Sequence, residues 1–290
     1  MRTDGLRSEA LTAALEEAIR GKPERLYSQL ALVSGLPGTR ANMPVANAFA
    51  NDCAARGKDA DRLVFAMASM SAEAAPGASE REFIPMCGVL ALGARAARDA
   101  TLRDKTLATL STAAEDLRFR VREAVPMALV RMGETAGASL VDDVSSWTDG
   151  FFQAAAVLIA LSDRAWLSTL DDPGPPLARL DEAFILARDA PRAAARWPGR
   201  KALVDTLAVA PTPLAARFGV PVFDLLATWS KTEMPELRAA IEVPLRNGSL
   251  QNRFPADIER VRAALSESAP VPRDPTLIRQ GMRSRGKKRR

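Results

Sequence analysis

Apolar residues recur along this chain with the spacing of helix faces. Leu63, Ala66, Met67 and Met70 fit the i, i+3, i+4, i+7 pattern. Leu117, Val121, Ala124, Val125, Ala128, Leu129 and Met132 carry one longer stripe. Val222, Leu225, Leu226 and Trp229 repeat it, and Ile258, Val261 and Leu265 bring it to the end of the body. No long alternating run of β-branched residues competes, so the pattern predicts helices and no sheet. Turn residues separate the segments: Gly35 to Gly38, Arg56 to Asp59, Ala75 to Gly77, Asp171 to Gly174, and Asn247 with Gly248. Ser79 with Glu82 reads as a capping box that opens the helix carrying Phe83.

Internal spacing adds a period. Arg40 with Pro44, Arg81 with Pro85, and Arg122 with Pro126 form three R-x-x-x-P copies at one fixed interval. The second and third copies agree further, in Glu82 with Glu123, Met86 with Met127 and Val89 with Val130. The interval accommodates two helices of about four turns and two short connections. One such pair leaves an apolar face exposed; stacking pairs removes that face from water, which is the physics of a helical solenoid. The prolines are expected well inside their helices, each removing one backbone bond and bending its helix.

The segment Asp116 to Leu129 resembles the D…V-R-x-A…A-L signature of HEAT repeats. Asp149 to Leu161 looks like the next unit, and Leu237 to Leu245 is a fainter late copy. The resemblance covers residues 40–165 best, and Asp171 to Pro176 and Pro191 to Gly199 interrupt its period. It implies an all-α, HEAT-like solenoid of about six helical hairpins over residues 1–268. It also implies that Arg122 pairs with an Asp of the preceding repeat.

Composition narrows the chemistry. The 290 residues are 47% hydrophobic, and alanine, the commonest of them, favours helix. There is no histidine, which excludes His-based acid/base catalysis, Ser-His and Cys-His pairs and His-ligated zinc. Cys53 and Cys87 sit in Ala-rich apolar stretches and read as buried, inert thiols rather than a metal or redox motif. The first residues lack the apolar core of a secretory signal, and the apolar run Ala154 to Leu161 is too short to span a bilayer. The expectation is a cytoplasmic protein with no membrane contact, no metal and no cofactor.

Charge is concentrated at one end. The net charge is +5, yet residues 273–290 hold eight Lys and Arg against Asp274, which leaves −2 for residues 1–272. Residues 269–290 read as a flexible basic tail. Its Arg283, Arg285, Lys287, Lys288, Arg289 and Arg290 would attract phosphates without reading sequence.

Two clusters are candidate sites. Arg188, Arg192, Arg196 and Arg200 are spaced four apart, with Trp197 and Lys201 among them. On one continuous helix the arginines form a ladder for successive phosphates and Trp197 offers a stacking face, although Pro191 and Pro198 threaten that helix. The second cluster is Asp142, Asp143, Trp147 and Asp149. The stretch from Glu80 to Phe83 and the Phe151–Ala156 helix are faintly similar to the HEAT-like alkylpurine DNA glycosylases. In that group an acidic residue flanked by tryptophans is the catalytic centre, which marks Asp143, Asp149 and Trp147 here. Helix capping by Asp149 and packing of Trp147 account for the same residues. The expected function is therefore a non-enzymatic scaffold that holds a protein or nucleic-acid partner (DNA or RNA) on its concave face. The alternative is an enzyme acting on alkylated DNA.

Overall fold

Helices account for all the regular structure in residues 2–269, the span described by the computed structural model, with side chains described from residue 9 onward. In chain order the α-helices are α1 (Arg2–Ile19), α2 (Glu24–Val33), α3 (Met43–Arg56), α4 (Lys58–Ala68), α5 (Phe83–Arg98), α6 (Arg103–Ala114), α7 (Phe119–Ala136), α8 (Ala138–Asp143) and α9 (Phe151–Leu161). They continue as α10 (Arg164–Leu167), α11 (Gly174–Asp189), α12 (Pro198–Val209), α13 (Pro211–Phe218), α14 (Val220–Trp229), α15 (Pro235–Leu245), α16 (Gly248–Arg253) and α17 (Pro255–Glu267). Short 3-10 helices precede α5, α6, α9 and α12, at Glu80–Glu82, Ala100–Leu102, Ser145–Asp149 and Arg192–Arg196.

One row of helices runs through the molecule: α3 packs on α5, α5 on α7, α7 on α9, α9 on α12, and α12 on α15. The intervening helices lie against this row, α4 and α6 on α5, α11 on α9, and α17 on α14 and α15. The apolar interior is correspondingly continuous, one cluster from Ala14 to Leu265, with Phe49, Phe83, Trp166, Phe184 and Phe223 among its fully buried members.

The turns explain how so many short helices follow one another. Gly57, Gly137 and Gly219 each form a one-residue junction between consecutive helices, with φ of 63°, 59° and 70° and ψ of −138°, −132° and −127°. That conformation is open essentially to glycine alone, so one residue type sets the same sharp reversal three times.

Buried charges tie the row to its outer layer. The Arg95 guanidinium bonds Asp61 at 2.6 Å, joining α5 to α4. Arg118 forks onto Asp116 and donates to the carbonyls of Met70, Ser71 and Ala75, closing the end of α4 and the following loop onto the start of α7. Burial pushes the Asp116 carboxyl up, but its bonds from Arg118 outweigh that and hold it below the ordinary carboxylate range.

Several expectations need correction. The three prolines do not occupy one kind of place. Pro44 is exposed in the first turn of α3, Pro85 is buried in the first turn of α5, and only Pro126 interrupts a helix interior. A first-turn proline removes an N–H that had no helical partner, so Pro44 and Pro85 break no backbone bond. The Ser79–Glu82 box does not close either. Ser79 Oγ donates to Pro76 O, while the buried Glu82 accepts from the N–H groups of Ala78 and Arg120 and so caps α7 across the fold. Arg122 finds a backbone partner, Asp116 O, rather than an aspartate of the preceding unit. Leu117 sits in the loop before α7, fully outside the stripe it was expected to start.

Candidate functional site

The sequence of α9, FFQAAAVLIAL, has one polar residue and is apolar nearly all round, more than a half-buried helix needs. Its flanking helices do not cover the excess. Between α7 and α12 an open groove of 770 Å³ runs over α9. Phe152, Ala155, Ala156 and Ile159 form the floor. Phe119, Pro126, Met127 and Val130 of α7 make one wall, and Pro198, Ala202 and Thr206 of α12 the other. Phe119 is 58% exposed and Ile159 46%, unusual values for large apolar side chains in the middle of a fold.

The three helices start at the same end of the groove. There the Arg122 guanidinium stands over the Phe152 ring at 4.8 Å, and Phe151 meets Trp197 edge to face at 6.1 Å. At the other end Glu134, Asp163 and the half-buried Arg131 line the walls. Arg131 donates from Nη2 to Asn47 Oδ1 at 2.8 Å and from Nη1 to Asn51 Oδ1 at 3.1 Å, and burial lowers its pKa.

Neither a family model, a curated protein nor a solved structure matches the chain.

The arginine ladder does not form. Helix α11 ends at Asp189, the 3-10 helix Arg192–Arg196 turns the chain, and α12 begins at Pro198, so Pro191 and Pro198 split the series over three elements. Arg188 pairs with its neighbour Asp189 and lies over the Trp229 ring. Arg200 is buried, bonding Glu236 Oε1 at 2.7 Å and Ala187 O at 3.3 Å, and so fastens α12 to α15 and α11. What remains at the surface is a compact corner of Arg192, Arg196, Trp197 and Lys201. Trp197 is 49% exposed.

The acidic cluster does come together, in part. Asp143, Trp147 and Asp149 line one open pocket of 580 Å³ with Asp104, Glu115 and Gln153. Trp147 is buried in its wall, Asp143 pairs with Arg103 at 3.2 Å, and Asp149 is exposed. Four carboxylates line this pocket with no Lys or Arg among its lining residues. The tail residues Arg283, Arg285, Lys287, Lys288, Arg289 and Arg290 lie outside the described residues.

No group of His, Cys, Asp and Glu among the described residues could hold a metal ion. Both cysteines are buried; burial pushes the Cys53 thiol up to about 12 and raises the Cys87 thiol well above its ordinary value, which keeps them from acting as nucleophiles. No helix of the described residues is long and apolar enough to cross a membrane.

Sequence reasoning missed the groove. Its one visible signal is the surplus of apolar residues in α9, where Phe152 and Ile159 fall on a face different from Ala154, Val157 and Leu161.

Proposed function

We propose that the chain is a non-enzymatic, HEAT-like helical array that holds a partner protein in the groove between α7 and α12. The carrying observation is the open apolar floor of α9, with Phe119 and Ile159 exposed in its lining. A surface of that kind gains free energy when a partner removes it from water, at about 25 cal/mol per Å² of apolar area. The succession α3, α5, α7, α9, α12, α15 supports the array, since each helix covers part of its neighbour as stacked repeats do. Protein is favoured over nucleic acid because the groove is mostly apolar and its charges are mixed, Glu123, Glu134 and Asp163 beside Arg122 and Arg131, so it offers a phosphate backbone no cationic stripe.

A photo-crosslinking residue at Ile159 of the full chain, irradiated in its native cells, tests this. Protein adducts are expected at Ile159 and not at Leu32, which is more exposed but lies on α2. Equal labelling at both positions, or nucleic-acid adducts at Ile159, would overturn the reading.

The co-lining of one pocket by Asp143, Trp147 and Asp149 favours a second reading, a glycosylase acting on alkylated DNA. Its four carboxylates make it the weaker one, because they oppose approach of a duplex. It requires release of methylated purines from damaged duplex, lost in Asp149→Asn; wild-type protein inert on several lesions would dismiss it.

A further inference from the structure

The groove is not alike at its two ends. At the end where α7, α9 and α12 begin, Phe151 and Trp197, the chain neighbours of the lining Phe152 and Pro198, are in contact and set the corner that carries Arg192, Arg196 and Lys201 beside the groove. Pro198 and Ala202, which line the groove, alternate in sequence with this corner, and Lys201 N donates to Trp197 O. Arg192, Arg196 and Lys201 are exposed, and none of them makes an ion pair among the described residues. Around the groove Arg120 pairs with Glu123, Arg188 with Asp189, and Arg131 bonds Asn47 and Asn51. At the opposite end the lining carries Glu134 and Asp163 beside Arg131, whose terminal nitrogens are taken up by Asn47 and Asn51.

From this, resting on the groove as an interaction surface, we infer that its occupant is an amphipathic α-helix of a partner protein with a run of carboxylates at one end, seated against Arg192, Arg196 and Lys201. The helical form follows from the walls. All three lining elements are helices, whose backbone groups are paired internally, so the groove offers an extended strand nothing to bond; a helix satisfies its own backbone and presents only side chains. The floor sets the length. The 11 residues of α9 extend about 16 Å at 1.5 Å per residue, which matches about three turns of a ligand helix. The sign follows from the three unpaired cations. It also excludes the chain's own residues 273–290, whose net charge has the same sign as the corner.

The test uses the full chain and synthetic peptides of about four turns that share one leucine stripe. One peptide ends in a glutamate triplet and its counterpart in a lysine triplet. Fluorescence anisotropy should show the glutamate peptide binding about tenfold more tightly than the lysine peptide at low ionic strength, with the gap narrowing as salt is added. The exposed-site variant Arg192→Glu/Arg196→Glu/Lys201→Glu should reverse that order, and Ile159→Glu should abolish binding of both. Equal binding of both peptides, lost in Ile159→Glu, would overturn the inference while leaving the groove intact. Failure of either peptide to bind, alongside protein adducts at Ile159, would also overturn it without touching the broader reading. So would displacement of the glutamate peptide by an oligonucleotide or by a peptide of residues 270–290, or self-association of the chain that Ile159→Glu removes.

Discussion

Arg200 separates a binding arginine from a structural one. In Arg200→Ala the side chain loses its 2.7 Å bond to Glu236 Oε1 and its 3.3 Å bond to Ala187 O. A hydrogen bond to a charged group contributes about 1.5–3 kcal/mol. The buried aliphatic stem adds about 0.8 kcal/mol for each methylene returned to water. Glu236 is 39% exposed, so water resolvates the orphaned carboxylate and little further penalty accrues. With the Glu236 pair discounted to under about 1 kcal/mol because that carboxylate is partly exposed, the buried bond to Ala187 O at about 1.5 kcal/mol and two methylenes bring the total to about 3–4 kcal/mol. At a urea m-value of about 3 kcal/mol/M the unfolding midpoint should fall by roughly 1 M. Arg192→Ala and Arg196→Ala, on exposed and unpaired side chains, should leave the midpoint in place and weaken the glutamate-peptide complex instead. Urea titrations followed by circular dichroism, run beside anisotropy on the same three variants, read both quantities. An Arg200→Ala protein with an unchanged midpoint and lost binding would refute the assignment of this arginine to the α11–α12–α15 junction.

Other outcomes follow from the same geometry. Gly57→Ala should destabilise by about 1–3 kcal/mol through backbone strain alone, since a Cβ there meets nothing within 4 Å; Gly248→Ala, equally open but at negative φ, is the neutral control in a urea titration. Asp116 and Glu236 both have carboxyls lowered in the fold, so the unfolded chain takes up protons first as pH drops. Their stabilisation is complete above about pH 5 and is lost progressively as pH falls below it. Thermal melts should therefore drop in that acidic range, and Asp116→Asn should flatten the drop; an unchanged profile would contradict the pairing. Neither Cys53 nor Cys87 should react with a thiol reagent at pH 8 until the chain is denatured, and prompt labelling of the native protein would contradict their burial.

The helical class was legible because every core helix repeats an apolar face at helical spacing, and Gly57 and Gly248 mark real junctions. The errors share one cause. Arg81–Pro85 and Arg122–Pro126 match in sequence, yet the first opens a helix behind a 3-10 helix and the second lies within one. Local pattern does not fix where a helix begins when capping is supplied from elsewhere, as Glu82 caps α7 rather than its own helix. The arginine spacing failed for the reason its prolines announced, and the exposed remainder of the series, Arg192, Arg196 and Trp197, is gathered by a turn rather than a helix face. The groove was illegible because exposure of Ile159 depends on how closely α7 and α12 approach, a distance no single helix encodes.

Comparison of α5 with α9 shows why that approach decides the site. Each lies between two members of the row, α3 and α7 in one case, α7 and α12 in the other, and each is apolar nearly all round. Over α5 the flanks close. Gly93 lets α7 come so near that a Cβ at that position would stand 2.6 Å from Ala128 Cα, and Arg120 and Arg131 of α7 reach across to Thr39, Asn47 and Asn51. Every residue from Phe83 to Ala96 is consequently buried. Over α9 the facing residues are Phe119, Met127 and Val130 against Pro198, Ala202 and Thr206, and the strip between them stays open to solvent. The same kind of helix is thus interior where its neighbours clasp and surface where they stand apart. Where each helix is covered only by its neighbours in the row, one unclosed interval is sufficient to leave core-forming residues exposed to solvent.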